Sequence, residues 1–244
     1  MKKLLFLSAV SLLTVALHAQ PTWTKIKEKA SQGYNPNPAA TNGLTNDEII
    51  KGLREALNIG VKNSSARASV VDGFYKNPLI FIPFPPEAEK VAKKLRELGM
   101  GKKVDEFTLT LNRAAEEAAK EAAPIFLSAV QGITIQDGLG ILKGNEIAAT
   151  TYLKGKTQTQ LTQKFSPVVQ RALQKTYATK YWTEIVNIYN RIPTVKKVNP
   201  DLNAYATGKA IDGLFFLVGD EETKIRKDPA ARVTDILRRV FGSK

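Results

Sequence analysis

Carboxylates, amines and hydroxyls are the side chains left for bond-breaking chemistry in most of this chain. It has no cysteine, and its single histidine, His18, lies within the first twenty residues. Beyond that point a histidine general base, a Ser-His-Asp or Cys-His nucleophile pair, a cysteine-histidine zinc site and a disulfide framework are excluded. Sequential acids such as Asp105 with Glu106, Glu116 with Glu117 and Asp220 with Glu221 point to different helix faces and do not flank a cleft as glycoside hydrolysis requires. Gln136-Asp137-Gly138 is better explained as a helix start than as a calcium loop. Gly138-Leu139-Gly140 lacks the lysine and the preceding strand of a phosphate loop, and no lysine stands at a convincing spacing from Ser128. The sequence assigns no catalytic residue, no metal ligand and no cofactor.

Three charges break otherwise apolar patterns. Glu222 lies four residues after Val218 and three before Ile225, which sets a carboxylate on an apolar helical stripe. Asp212 is embedded in an apolar neighbourhood, and Arg113 stands in an alanine-rich helix among few other cations. An unpaired charge in such a place is costly, so each is expected to have a partner. The two readings are buried structural salt bridges and, if the three converge on one cavity, a ligand-binding site.

The elements that would position these groups are helical. Residues 1–19 have the form of a signal peptide: Lys2 and Lys3, an uncharged stretch from Leu4 to Leu17, then a small residue, Ala19, at the cleavage point. Residues 20–43, with Asn35-Pro36-Asn37-Pro38, are expected to form a disordered tether, and residues 44–242 a helical domain. Thr45 with Glu48 forms a capping box for a helix that should fade near Ser64. Four prolines (Pro78, Pro83, Pro85, Pro86) bracket an apolar string, so residues 70–86 should form an extended arm or short hairpin laid across helices. Its Leu79, Ile80, Phe81, Ile82 and Phe84 could be buried packing, line a ligand cleft or dip into a membrane interface.

Further helices are expected from Pro86 to a stop at Gly99 and Gly101, and from Val104 to Ala122. Pro124 should kink or restart the chain there. A short helix starts at Thr134, with Asp137 closing a second box, and ends at Gly144. Residues 147–173 should be helical with interruptions at Gly155 and Pro167. Tyr181, Trp182, Ile185, Ile188 and Tyr189 give an aromatic-rich face, Leu202–Arg226 a long helix, and Asp228-Pro229 a last helix start. The fold class is therefore all-α, a single multi-helix bundle-like domain large enough for its own core. No later segment approaches the roughly 20 apolar residues needed to span a bilayer.

Charge bounds the partners. The chain carries 36 Lys+Arg against 23 Asp+Glu, a net +13, and attracts polyanions. Its densest basic groups are Lys90, Lys93, Lys94 and Arg96, then Lys102 with Lys103, Lys196 with Lys197, and Arg238 with Arg239. For an exported protein the available anions are lipid head groups and other envelope components, not nucleic acid.

Several phrases together resemble a bacterial family, the domain of unknown function 4197: Asn112-Arg113-Ala114-Ala115-Glu116, the run Val195 to Leu202, Asp212-Gly213-Leu214-Phe215, and Asp228-Pro229-Ala230-Ala231-Arg232. The resemblance runs from about Leu44 to Phe241. It implies an exported helical domain of Gram-negative bacteria, periplasmic or secreted, and no activity or functional residue. The leading expectation is a non-enzymatic envelope protein that binds an anionic or amphipathic ligand such as a lipid. The alternatives are a scaffold or assembly partner of envelope proteins, and a hydrolase using carboxylates or a Ser/Lys pair.

Overall fold

Thr45 caps a helix as the spacing predicts: its hydroxyl accepts from the Glu48 amide, and the Glu48 carboxylate accepts from the Thr45 amide. A computed structural model describes residues 45–242 apart from 98, 176–177, 192, 194–196 and 200, with backbone alone at 87, 94, 178, 181, 184, 185, 188 and 189. The expected leader and tether lie outside the described residues, as do Leu98 and the side chains of Tyr181, Ile185, Ile188 and Tyr189. From its cap α1 (Asn46–Ser69) runs beyond the expected end at Ser64. Its inward face continues through Ser64, Ser65 and Ala68, all buried, so tertiary packing carries the helix on.

The proline-rich segment is an arm, and no strand forms among the described residues. Successive turns occupy its first half, where the amides of Gly73, Lys76, Asn77 and Ile80 donate to the carbonyls of Val70, Asp72, Phe74 and Asn77. Asp72 takes a left-handed conformation, φ 69°. Residues 81–85 are extended, and the partner a second strand would have supplied is a helix side chain. Asn112, fully buried, accepts from the Ile82 amide and donates to the Ile82 carbonyl, both at 2.8 Å. Tyr205 donates to the Pro83 carbonyl from the other side.

After a 3-10 turn at Pro86–Ala88 come α2 (Glu89–Glu97), α3 (Gly101–Ala119), α4 (Ala122–Gln131) and α5 (Ile135–Lys143). Gly99, at φ 79°, ends α2, whereas Gly101, expected as a second stop, is the first residue of α3. The chain breaks at Lys120–Glu121, and Pro124 sits in the first turn of α4, where a missing N–H costs least. Thr134 and Asp137 close the second capping box.

The long α6 (Ala148–Lys175) passes through both Gly155 and Pro167 without interruption. Leu153, Leu161, Phe165, Val169 and Leu173 on its inner face are all fully buried, and this packing outweighs one glycine and one lost hydrogen bond. Then follow α7 (Ala178–Asn190), α8 (Leu202–Lys227), a 3-10 turn at Pro229–Ala231, and α9 (Asp235–Gly242), which starts later than Asp228-Pro229 suggests.

The fold is all-α. α6 and α8 pack along each other, α3 packs on both, and α1 lies against α3, α4, α5, α8 and α9. Phe84 anchors the arm in an aromatic cluster, its ring centroid 5.0 Å from that of Phe107 on α3 and 5.8 Å from that of Trp182 on α7. Gly213 on α8 admits Phe74 and Ile80, since a Cβ there would lie 2.8 Å from the Phe74 ring.

Gly73 is bound by backbone. A Cβ at this position would stand 2.4 Å from the Arg67 carbonyl oxygen and 2.7 Å from that of Ala68. We expect Gly73→Ala to cost about 2–3 kcal/mol in urea unfolding. Gly155→Ala, whose Cβ meets nothing within 4 Å in mid-helix, should gain about 0.5–1 kcal/mol in the same measurement.

Candidate functional site

Where α5 gives way to α6, residues 143–147 are exposed, but Ile141 in the last turn of α5 and Ala149 and Thr150 in the first turn of α6 are buried, and these turns leave backbone groups without intrahelical partners. α8 supplies the partners. Glu222 accepts from the Ala149 amide at 3.0 Å, and from the Thr150 amide and hydroxyl, both at 2.8 Å. One turn on, Arg226 donates to the carbonyls of Ile141 at 2.9 Å and Leu142 at 3.5 Å, and its Nε to Glu222 at 2.9 Å. The two side chains are only 6% and 9% exposed. The carboxylate thus faces the positive end of α6 and the guanidinium the negative end of α5. A cavity of about 20 Å³ beside them, lined also by Leu57, Val218 and Phe241, has room for one water.

Arg113 belongs to a second joint, at the arm. Its guanidinium donates to Glu116 and to Asp72, both at 2.6 Å, and lies 5.6 Å from the centre of the Tyr75 ring. Glu116 in turn accepts from the amides of Phe74 and Tyr75 at 3.1 Å. Glu116, and after it Asp72, hold the Arg113 proton more firmly than usual. Lys76, and then Arg113, keep the Asp72 carboxyl below the ordinary carboxylate range.

Asp212 is on the surface. It is 60% exposed and pairs with Lys154 at 3.3 Å across α6 and α8. The three charged candidates therefore sit in three separate pairings, with Arg113 lining an open groove between α3 and α6, and Glu222 the small interior cavity. Along the arm, Ile80 and Ile82 point into the core and Phe84 is half-buried, leaving Leu79 and Phe81 at 59% and 38% exposure. Of the partners to which the sequence gave no pairing role, Asp72, Asn112, Glu116 and Arg226, two carry a visible signal: Arg226 stands four residues after Glu222 and Glu116 three after Arg113, both spacings of a helical ion pair.

The groove between α3 and α6, about 440 Å³, carries charge to spare. Leu109, Val168 and Ala172 give it half-buried apolar surface. Arg171 and Lys175, one helical turn apart on the α6 wall, are exposed and make no ion pair among the described residues. On the α3 wall, Glu117 is paired with Lys120, and Glu121 lies at the groove edge. Among the described residues no three acidic side chains gather as a metal would require, and no single helix is long and apolar enough to cross a membrane.

Glu222→Leu would strand a buried arginine and two amides, so we expect it to cost about 3–5 kcal/mol in denaturant unfolding. Asp212→Asn should stay within about 0.5 kcal/mol of the parent in the same assay. Asp72 gives a pH test: a carboxylate whose pKa is depressed by folding contributes stability above its unfolded pKa, near 3.8, and loses it as pH falls through the folded value. Asp72→Asn should therefore flatten the acid limb of a stability–pH curve below about pH 4. Asparagine tolerates the left-handed backbone, so the change removes charge alone.

No curated protein and no solved structure shows significant similarity to the chain. A family profile described as "Protein of unknown function (DUF4197)" matches residues 43–242, nearly the whole of the domain whose joints have just been described. The chain belongs to the DUF4197 family.

Proposed function

We propose that this protein is exported to the bacterial envelope, where it works without catalysis by binding anionic, amphipathic ligands such as lipids through a basic face centred on α6. One observation carries the reading. Residues 45–146 hold 14 Lys and Arg against 14 Asp and Glu, and residues 201–244 hold eight against seven, but residues 147–200 hold nine against one, Glu184. Nearly all of the domain's positive excess therefore lies on α6, α7 and the loop after them. Lys164, Arg171 and Lys175 are exposed on α6 without ion pairs among the described residues, whereas about half of the described cations elsewhere are paired, as Arg67 is with Asp220 and Glu221. The form of the leader, with Lys2, Lys3 and Ala19, supports export.

A scaffold role is favoured by a different feature, the exposed apolar side chains at the start and middle of the arm: Val70, Val71, Leu79 and Phe81. Salt separates the two. Cosedimentation of the mature protein with vesicles of phosphatidylglycerol and phosphatidylcholine should show binding to the anionic vesicles that weakens steeply from 50 to 500 mM salt. At about 1 kcal/mol per basic residue near the surface, Lys164→Gln, Arg171→Gln and Lys175→Gln together should weaken it about 100-fold. Equal binding to pure phosphatidylcholine, or none to either, would overturn the reading.

A further inference from the structure

We infer that the α3–α6 groove is a discrete site for one anionic headgroup, phosphate or carboxylate, carried on a single alkyl chain; the inference rests on the reading of a basic, lipid-directed face and gives it a location. Three features of the groove select this ligand. Arg171 and Lys175 project from one wall at a spacing of four residues, so both can reach one anion, and neither makes an ion pair among the described residues. The acids lie on the opposite wall, where Glu117 is held by Lys120 and Glu121 is free of ion pairs among the described residues. With Arg113 and Lys120 beside these acids the α3 wall is close to neutral, so the net positive charge of the groove lies on α6 and draws an anionic head there.

The apolar surface comes from Leu109, Val168 and Ala172. Val168 and Ala172 pack their inner sides on the core and remain half-exposed toward the groove. A soluble polyanion has no use for such a strip, whereas an alkyl chain does. At about 440 Å³ the groove falls within the usual range for small-ligand sites. Its α3 wall is also fixed in place. Arg113, which lines it, is clamped by Asp72 and Glu116, and Asn112 next to it is bonded to the arm, so no ordering cost falls on that side when a ligand enters.

The test uses the full mature chain and monomeric probes below their micellar concentrations: dodecyl phosphate, laurate, neutral dodecyl maltoside and inorganic phosphate, each titrated by calorimetry, with backbone amide NMR to locate the change. Dodecyl phosphate and laurate are expected to bind one to one and to move amides of 109–121 and 164–175. Arg171→Gln with Lys175→Gln should weaken both at least tenfold, and Val168→Asn should weaken the alkyl probes while leaving binding of inorganic phosphate unchanged. Lys62→Gln, outside both the groove and the basic face, should change nothing. Inorganic phosphate binding as tightly as dodecyl phosphate would overturn the proposal in favour of a plain anion site, and dodecyl maltoside binding equally well would reduce it to an apolar surface. Indifference to the groove variants would also overturn it. Vesicle cosedimentation of the same sample separates the two levels: vesicle binding without monomer binding removes the groove and leaves the basic face, while loss of both removes the whole reading.

Discussion

The contact between Glu222 and Arg226 joins three helices in one place, and the order of the domain depends on it. The last turn of α5 at Ile141 and the first turn of α6 at Ala149 and Thr150 are buried there, and buried backbone groups at a helix end are out of reach of water. The pair answers both, with the anion at the helix start and the cation at the helix end, in the sense the peptide dipoles favour. A buried ion pair contributes little net stability on its own account, since desolvation offsets most of the attraction. Its value lies in direction. Only one placement of α8 along α5 and α6 satisfies all of these donors and acceptors at once, which pins the register of the central helices in a way that interchangeable leucines do not.

The same solution recurs on α3. The arm crosses the bundle with prolines that forbid a sheet partner, yet its backbone is buried at Phe74 and Ile82 and must be bonded. Asn112 and Glu116 present a side-chain acceptor and donor set at a spacing of one turn and take the place of a neighbouring strand. Arg113 between them neutralises Glu116 and holds Asp72 in its left-handed turn. The buried carboxylates of this protein are occupied by amides, hydroxyls and guanidinium groups, and that engagement, more than the residue types themselves, directs attention to the surface for function.

How far the sequence could be read follows from what kind of information each feature needs. The capping boxes at Thr45 and Thr134 are local, three residues wide, and both form. The charge at Glu222 was legible as a buried group needing a partner because the stripe on either side of it is regular. Asp212 misled for the converse reason: Ile211, Gly213 and Leu214 surround it in sequence, but a helix turns 100° per residue and sets it on the solvent side. The persistence of α6 through Gly155 and Pro167, and of α1 past Ser64, depends on burial supplied by other helices, which propensity does not register. Apart from Lys196 with Lys197, the basic excess of residues 147–200 forms no run of cations. On α6 they are spaced out along an exposed side, and what marks the region is the near absence of acids across 54 residues.

That imbalance is itself an argument about function. Like charges on one helix repel, and a domain that matches its charges elsewhere could have matched them here by a few substitutions to glutamate at exposed positions. The apolar inner face of α6 is dense enough to hold the helix in spite of the repulsion, with five large side chains fully out of water. Screening confines the resulting field to about 8 Å at physiological salt, so it acts on what touches the surface and only weakly on what passes at a distance. Contact is therefore the condition for the charge to matter, and along α6 the groove beside Arg171 and Lys175 is where an anion in contact would also meet exposed apolar surface. Electrostatics alone would make any polyanion an acceptable partner; the strip of Leu109, Val168 and Ala172 is what narrows the choice toward molecules that carry a charge at one end and hydrocarbon at the other.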